Sequence, residues 1–345
     1  MRRATLADVA QHAKVSLSTV SQVVNNRSTC WASQATRERV LQSVETLGYR
    51  TNLAARALRS GSTRTLGMIT TGLGLGSTRN RFMGLDEAAS ADGYTVMLSF
   101  HPNMPETENR TIRRHLDRGV DGLLIYPSEP GPHAELSALA MRGFPLVAFD
   151  GEIHLDFACD DVTPDYRALG RLQAEHLLDI GRRRICVANA FPAARVHTLR
   201  EAGACEAIAA AGAFAPLFMN IQRPGDQELA PLETVDRPLR EFLLAHRNRF
   251  DAVIAKDTVA ALVVRDLLEM GVRVPEDVAV IGAGDTLIAE YNTLPLTTVS
   301  TQDDLIGREA FRLIKERLSG QQAPTEYRRI RPPLCLLARA STVRL

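Results

Sequence analysis

The side chains best suited to chemistry are unevenly distributed. Residues 1–64 carry ten basic side chains (Arg2, Arg3, Lys14, Arg27, Arg37, Arg39, Arg50, Arg56, Arg59 and Arg64) against Asp8, Glu38 and Glu45, a surplus of seven positive charges. The other 31 basic and 37 acidic residues leave the rest of the chain at −6, so the overall charge of +1 hides a basic head on a slightly acidic body. Such a head points to a polyanionic partner; a solvated charged surface is the alternative. Among these charges stand short hydrogen-bonding residues, Ser16, Thr19, Ser21 and Asn25. They suit phosphate oxygens, contacts that position a protein on a nucleic acid without reading its sequence. For Thr19 and Ser21, local helix capping is an equal alternative.

Catalytic chemistry has less to stand on. Gly72-Leu73-Gly74-Leu75-Gly76-Ser77 follows an apolar run as a dinucleotide loop does. Its spacing is G-x-G-x-G, however, and the second run ends Leu98-Ser99-Phe100-His101 with no acidic residue to hold a ribose. A cleft loop is the competing reading. No Gly-x-Ser-x-Gly, His-Glu-x-x-His or Walker motif occurs. Cys30, Cys159, Cys186, Cys205 and Cys335 are scattered, form no C-x-x-C, and argue against a disulfide framework or a zinc site. No metal, no cofactor and no enzymatic activity are expected. No apolar run reaches the length of a membrane span, and Met1-Arg2-Arg3 is not followed by a signal-peptide core. A cytoplasmic protein with no membrane partner is expected.

These residues need elements to hold them. The 345 residues, 45% apolar and 23% charged, suit about two to three globular domains. In the head, Thr5 with Asp8 forms a capping-box pattern, and Leu6, Val9, Ala10 and Ala13 follow helical spacing over about 5–13. Ser16 can cap a second helix at 17–25 with Val20, Val23 and Val24 inward. Ser33 can cap a third at 34–47, stopped by Gly48. Two short helices joined by a tight turn make a helix-turn-helix, whose second helix lies in the DNA major groove. Asn52 can cap a short helix at 53–59 that is too short to be stable alone. From residue 65, apolar runs at 66–70, 94–99, 122–126, 146–150, 185–189, 214–219, 252–255 and 278–282 alternate with helical stretches, implying parallel sheets.

Thr5-Leu6-x-Asp8-Val9-Ala10-x-x-Ala13-x-Val15-Ser16-x-x-Thr19-Val20-Ser21-x-Val23-Val24-Asn25 resembles the DNA-binding head of the lactose-repressor (LacI/GalR) family. So do Thr36-Arg37-x-Arg39-Val40, Leu47-Gly48-Tyr49 and Asn52-x-x-Ala55-Arg56-x-Leu58. The resemblance implies that Leu17, Ser18 and Gln22 read bases. Gln22 can pair bidentately with adenine, Ser18 can donate or accept, and Leu17 can meet a thymine methyl. Gln22 stands where the family usually has arginine, so the operator is expected to differ at that base pair. Thr5, Ser16, Thr19, Ser21, Asn25 and Asn52 complete the implied DNA-binding set. Ala55, Arg56 and Leu58 would belong to a hinge helix that folds on DNA beside its dimer mate. Leu58 would wedge a minor-groove base step; an ordinary packing leucine is the alternative. Lys14 replaces the family's turn glycine, the loop 27–32 is about two residues longer, and Thr51 replaces a proline. Trp31 in that loop is read as a loop anchor, with stacking on sugar-phosphate the alternative.

Leu66-Gly67-Met68-Ile69, Val120-Asp121-Gly122-Leu123-Leu124-Ile125, His176-Leu177-x-x-x-Gly181 and Val274-Pro275-Glu276-Asp277-Val278-Ala279-Val280-Ile281-Gly282 resemble the same family's effector domain. That domain is similar to periplasmic sugar-binding proteins. The implied fold is an all-α helix-turn-helix head (1–50), a hinge helix and linker (51–63) and an α/β periplasmic-binding-protein-like body (64–345). The body would comprise two Rossmann-like parallel-sheet subdomains, one over about 64–163 and 293–324, the other over 164–292 and 325–345. A ligand would sit between them, at the carboxyl ends of the strands. Arg200 matches an arginine that grips sugar hydroxyls or a carboxylate. Asp257 matches the second member of an Asn-Asp pair whose Asn is here Lys256. Asp285 follows the place of a ligand-binding aspartate that is here Gly284. Asp150 and Arg79 are further cleft candidates, with Arg81 and Arg195 adding positive charge; for each the alternative is a surface charge. Losing an acid while gaining Lys256 points to an anionic sugar derivative as effector. With no leucine-heptad helix after the body, a homodimeric regulator on double-stranded operator DNA, a repressor, is expected.

Overall fold

In the computed structural model the chain divides into two compact units, Met1–Thr63 and Arg64–Leu345. The structure describes residues 4–24, 31–49, 61–72, 77–129, 131–189, 195–220, 233–320 and 326–343. Among these, no helix is long and apolar enough to cross a membrane.

The first unit holds α1 (Leu6–Ala13), α2 (Leu17–Val24) and α3 (Gln34–Thr46). The capping box expected at Thr5 is formed. Asp8 N–H donates to Thr5 Oγ1 at 3.3 Å, and the Asp8 carboxylate accepts from Thr5 N–H at 2.8 Å. α1 ends at Lys14, whose φ of 53° is left-handed. A Cβ there costs about 1 kcal/mol, which a glycine would not incur. The turn delivers Ser16 to the start of α2, and Val9, Ala13, Val20, Val23, Val40 and Tyr49 close a small core.

The second unit alternates strand and helix. Its first sheet contains β1 (Thr65–Thr70), β2 (Thr95–Phe100), β3 (Gly122–Ile125), β4 (Leu146–Phe149), β5 (Asp160–Val162) and β11 (Arg329–Ile330), in the order β11-β5-β4-β3-β1-β2. The second contains β6 (Ile185–Asn189), β7 (Leu217–Asn220), β8 (Ala252–Ile254), β9 (Ala279–Ala283), β10 (Thr297–Ser300) and β12 (Cys335–Leu337), in the order β12-β10-β9-β8-β6-β7. The two orders correspond strand for strand. Pairing is parallel apart from β12, which runs antiparallel to β10. Central strands such as Gly-Leu-Leu-Ile and Leu-Val-Ala-Phe are buried throughout, as a parallel sheet covered on both faces requires.

α4 (Ser77–Ala91) and α13 (Asp303–Leu318) cover one face of the first sheet; α5 (Pro105–Leu116) and α6 (Ala134–Met141) cover the other. The second lobe repeats the layers with α8 (Tyr166–Asp179) and α9 (Arg195–Ala210) on one face. α10 (Glu233–His246) and α11 (Asp257–Glu269) cover the other. The short helices α7 (Gly151–His154) and α12 (Leu287–Tyr291) follow β4 and β9. In each lobe one helix pair crosses at glycines. A Cβ on Gly84 or Gly307 would collide with the carbonyl of Asp304 or Arg81, and one on Gly170 or Gly203 with the carbonyl of Arg200 or Arg167.

The chain crosses between lobes later than expected. Residues 297–300, which are not among the apolar runs, form a strand in which Thr297 pairs with Ile281, and this places β10 in the second sheet. The return to the first lobe therefore lies at residues 301–302 rather than near 293. The last crossover lies between β11 and β12 rather than near 324. Sheet membership is fixed by the pairing partner, which a local apolar run does not encode.

Candidate nucleic-acid interface and ligand cleft

On α2, Val20 and Val23 are buried, which turns Leu17, Ser18, Ser21 and Gln22 outward as two i, i+4 pairs on one face. Leu17 is 54% exposed and Ser18 is exposed, while Ser21 and Gln22 are half-buried. Ser16 Oγ accepts from Thr19 N–H at 3.1 Å and lies 2.8 Å from Thr19 Oγ1, so both hydroxyls serve the start of the helix. Thr5 serves the α1 cap in the same way. Asn25, Asn52, Ala55, Arg56 and Leu58 lie outside the described residues.

The head also depends on a contact chain that the sequence did not announce. Ser43 Oγ donates to the Arg39 carbonyl at 2.8 Å and lies 2.9 Å from His12 Nδ1. With its one hydrogen committed, that hydroxyl accepts from the imidazole, which makes Nδ1 the protonated nitrogen. Arg39 Nε donates to the Ala13 carbonyl at 3.0 Å and ties α3 to the end of α1. The anchoring role read for Trp31 does not hold among the described residues, against which the indole is 96% exposed.

In the body, the carboxyl ends of the two sheets present two buried arginines. Arg81, on α4, donates to Asp303 at 2.7 Å and to Asp150 at 3.3 Å, and reaches Tyr166 Oη at 3.4 Å. Tyr166 in turn donates to Asp150 at 2.9 Å. Asp150, left-handed at φ 57° just past β4, thus neutralises Arg81. Arg200, on α9, has a different setting. It donates to Asn189 Oδ1 at 3.1 Å and to His197 Nδ1 at 3.0 Å, both uncharged acceptors. Burial pulls the guanidinium down to about 10. Burial, with Arg200 and Lys256 nearby, holds the His197 imidazole well below its ordinary pKa, and so neutral.

The remaining candidates are placed as follows. Asp257, at the start of α11, is buried and accepts from Thr298 Oγ1 at 2.7 Å, Thr286 N–H at 2.8 Å and Thr286 Oγ1 at 3.0 Å. Burial pushes its carboxyl above the usual range despite those bonds. Lys256 is half-buried at the cap position of the same helix. Asp285 accepts from Arg339 at 2.8 Å. Arg79 is exposed, bonded to Asn80 at 3.2 Å, and does not join the buried cluster. Arg195 contributes its backbone N–H, which donates to Glu129 of the first lobe at 2.6 Å. A Cβ on Gly284 would lie 3.5 Å from Ser77 Oγ of the first lobe and 3.5 Å from Asp257 Oδ2, so this turn faces the other lobe. Among the described residues no group of His, Cys, Asp and Glu is placed to hold a metal ion.

Tyr166, Asp303, Asn189 and His197 were not singled out from sequence. The one available signal was the repeated spacing Arg81-x-x-Gly84 and Arg200-x-x-Gly203, which puts each arginine one turn ahead of a helix-crossing glycine.

Comparison with known proteins agrees with this architecture. Residues 5–52 match the model for bacterial regulatory proteins of the lacI family, and residues 174–342 match that for the periplasmic binding protein-like domain. The chain is 30% identical over 334 residues to the HTH-type transcriptional repressor PurR of Erwinia tasmaniensis, covering 96% of this chain and 95% of that protein. It is 27% identical over 348 residues to PurR of Vibrio vulnificus, covering 96% and 97%. Among solved structures, the transcriptional regulator CelR in complex with cellobiose matches with a TM-score of 0.67 at 27% identity, over 98% of this chain and 100% of that one. The lac repressor dimer bound to operator and the anti-inducer ONPF shares the fold, with a TM-score of 0.81 at 24% identity over 99% and 100%.

Proposed function

The chain belongs to the lacI family of bacterial regulatory proteins, and on that premise we propose that this DNA-binding transcriptional repressor is a cytoplasmic homodimer whose effector is an anionic sugar derivative. The effector lies between the two lobes, and its occupancy sets the affinity for operator DNA. Leu17, Ser18 and Gln22 read base edges in the major groove, with Thr5, Ser16, Thr19, Ser21 and Asn25 toward the backbone. Asn52, Ala55, Arg56 and Leu58 form the minor-groove hinge. Nothing in this assignment requires a cofactor.

The observation that carries the effector's class is Arg200. Among the described residues, a buried guanidinium whose hydrogen bonds go to Asn189 and His197 makes no ion pair of its own. A carboxylate or phosphate supplies one through paired N–H···O bonds. Lys256 adds a second cation on the same lobe, and Asp285, with one carboxylate oxygen on Arg339, suits a ligand hydroxyl with the other, whereas the oxygens of Asp257 are held by Thr286 and Thr298. A sugar acid or sugar phosphate meets both demands.

Calorimetry on the full chain with glucose, gluconate and glucose 6-phosphate tests this. An acidic member is expected to bind more tightly than glucose, and Arg200→Ala to weaken it far more than it weakens operator binding without effector. Tighter binding of glucose would overturn the charge argument and leave the family membership untouched.

A further inference from the structure

Glu129 works across the junction of the lobes. It stands four residues past β3, and its N–H donates to Asn103 Oδ1 at 2.7 Å, which ties its loop to the residues just ahead of α5. Its Oε1 accepts the Arg195 N–H at 2.6 Å. Arg195 is the first residue of α9, and the first N–H groups of a helix have no partner within it. A first-lobe carboxylate therefore caps a second-lobe helix, at the end where the helix dipole favours negative charge. That helix carries His197 and Arg200.

The same oxygen has a second neighbour. His154, the last residue of α7, holds Nδ1 3.7 Å from Glu129 Oε1, too far for a hydrogen bond. Its side chain is 1% exposed, and its ring lies 5.4 Å from the Tyr126 ring. Among the described residues neither of its ring nitrogens has a hydrogen-bond partner. Besides the Tyr126 phenol, the charged and titratable groups facing it are Glu129 after β3, Glu108 on α5, His133 ahead of α6 and Arg195 on α9. Glu108 is already engaged, accepting from Ser128 N–H and lying 3.1 Å from His133 Nδ1. Burial, with Arg195 and His133 nearby, pushes the His154 imidazole down to about 4, Glu108 pulling the other way.

We infer that Glu129 latches α9 to the first lobe and that His154 makes the latch proton-sensitive: a proton on His154 gives the Glu129 carboxylate a competing donor and repels Arg195, so α9 is let go. The latch is independent of which effector the cleft takes. Once α9 moves off, the charge of Arg195 goes with it, and the imidazole regains an ordinary pKa of about 6.5. The latched form is thus fully favoured above that value and loses ground as pH falls toward 4. Acidification loosens the helix that carries Arg200 with no effector present.

Amide hydrogen exchange of the full chain, read by mass spectrometry as protection factors so that the intrinsic pH dependence cancels, tests this without any ligand. In Glu129→Ala the opening turn of α9 is expected to lose about fivefold in protection, the usual effect of a lost cap, while the opening turn of α11 in the same lobe is unchanged. Between pH 7.5 and 5.5 the parent is expected to lose protection in α9 by up to about tenfold, the limit that linkage to one imidazole sets. His154→Leu is expected to keep its α9 protection at both values. Equal α9 protection in the parent and Glu129→Ala, or a loss spread evenly over α9 and α11, would overturn the latch. A pH response that persists undiminished in His154→Leu would overturn the proton control. If His154→Leu fails to fold, His154→Gln, which has no titratable group at that position, serves in the same comparison.

Discussion

Tyr166 donates its phenolic hydrogen to Asp150 across the junction of the two lobes, at 2.9 Å. Tyr166 opens the first helix after the chain enters the second lobe, and Asp150 closes a strand of the first. Asp150 Oδ1 is buried with no hydrogen-bond partner among the described residues, so this carboxylate relies on Tyr166 and on a longer contact to Arg81. Tyr166→Phe keeps the ring and removes the bond. It is expected to cost about 1–3 kcal/mol, the usual range for a buried acceptor that loses a donor. Urea unfolding midpoints measure it, and an unchanged midpoint would show that the junction does not depend on the phenol.

Asp161 gives the body a pH dependence. Burial pushes its carboxyl up to about 6, against the bonds from Thr163 Oγ1 and Gly151 N–H, each at 2.6 Å. The folded state therefore holds a proton that the unfolded chain releases near its ordinary pKa of about 4. The stability this gives is fully present below pH 4 and is lost as pH rises through 6. The loss is on the order of 3 kcal/mol. Asp161→Asn, always uncharged, is expected to flatten the stability curve between those values. Parallel curves for parent and variant would assign the dependence to another group.

On α2, Gln22 and Ser18 lie one turn apart on the outward face. Gln22→Ala is expected to cost about 1–3 kcal/mol on the preferred operator and to relax one base-pair position in each half-site. Selection of binding sites from a random library measures it directly. A variant that selects the same bases everywhere would remove Gln22 from the reading face.

For Leu58, replacement by alanine is expected to weaken the specific complex while leaving salt-sensitive, non-specific DNA binding in place. Footprinting on the selected operator against competitor DNA separates the two. Equal operator affinity for parent and variant would mean that this leucine wedges nothing.

The elements of the head follow from nearest neighbours: the Thr5–Asp8 box, Ser16 ahead of α2, and valines at helical spacing all appear where local chemistry puts them. The same holds for eight strands of the body, while β5, β10, β11 and β12, short and carrying Asp, Thr, Arg or Cys, make no apolar run. What the sequence conceals is which distant partner a charged residue finds. Arg81 and Asp303 stand 222 residues apart, and nothing local to either points to the other. Asp257 carries the right charge for a ligand contact, yet the structure gives its oxygens to two threonines from a later turn and strand. Trp31 fails for the complementary reason, because a large apolar side chain implies a wall to pack on and none stands beside it among the described residues.

In each helix pair crossing at Gly84/Gly307 and Gly170/Gly203, one helix is borrowed from the other lobe's chain. α8 leaves the first sheet to pack on the second, and α13 leaves the second to pack on the first. Neither lobe is thus a contiguous stretch of chain, and no single cut yields a fragment owning its whole core. The first lobe must wait for residues 303–318 before it can cover one face of its sheet. During synthesis, therefore, the apolar face that α13 covers has its partner only after most of the chain has been made.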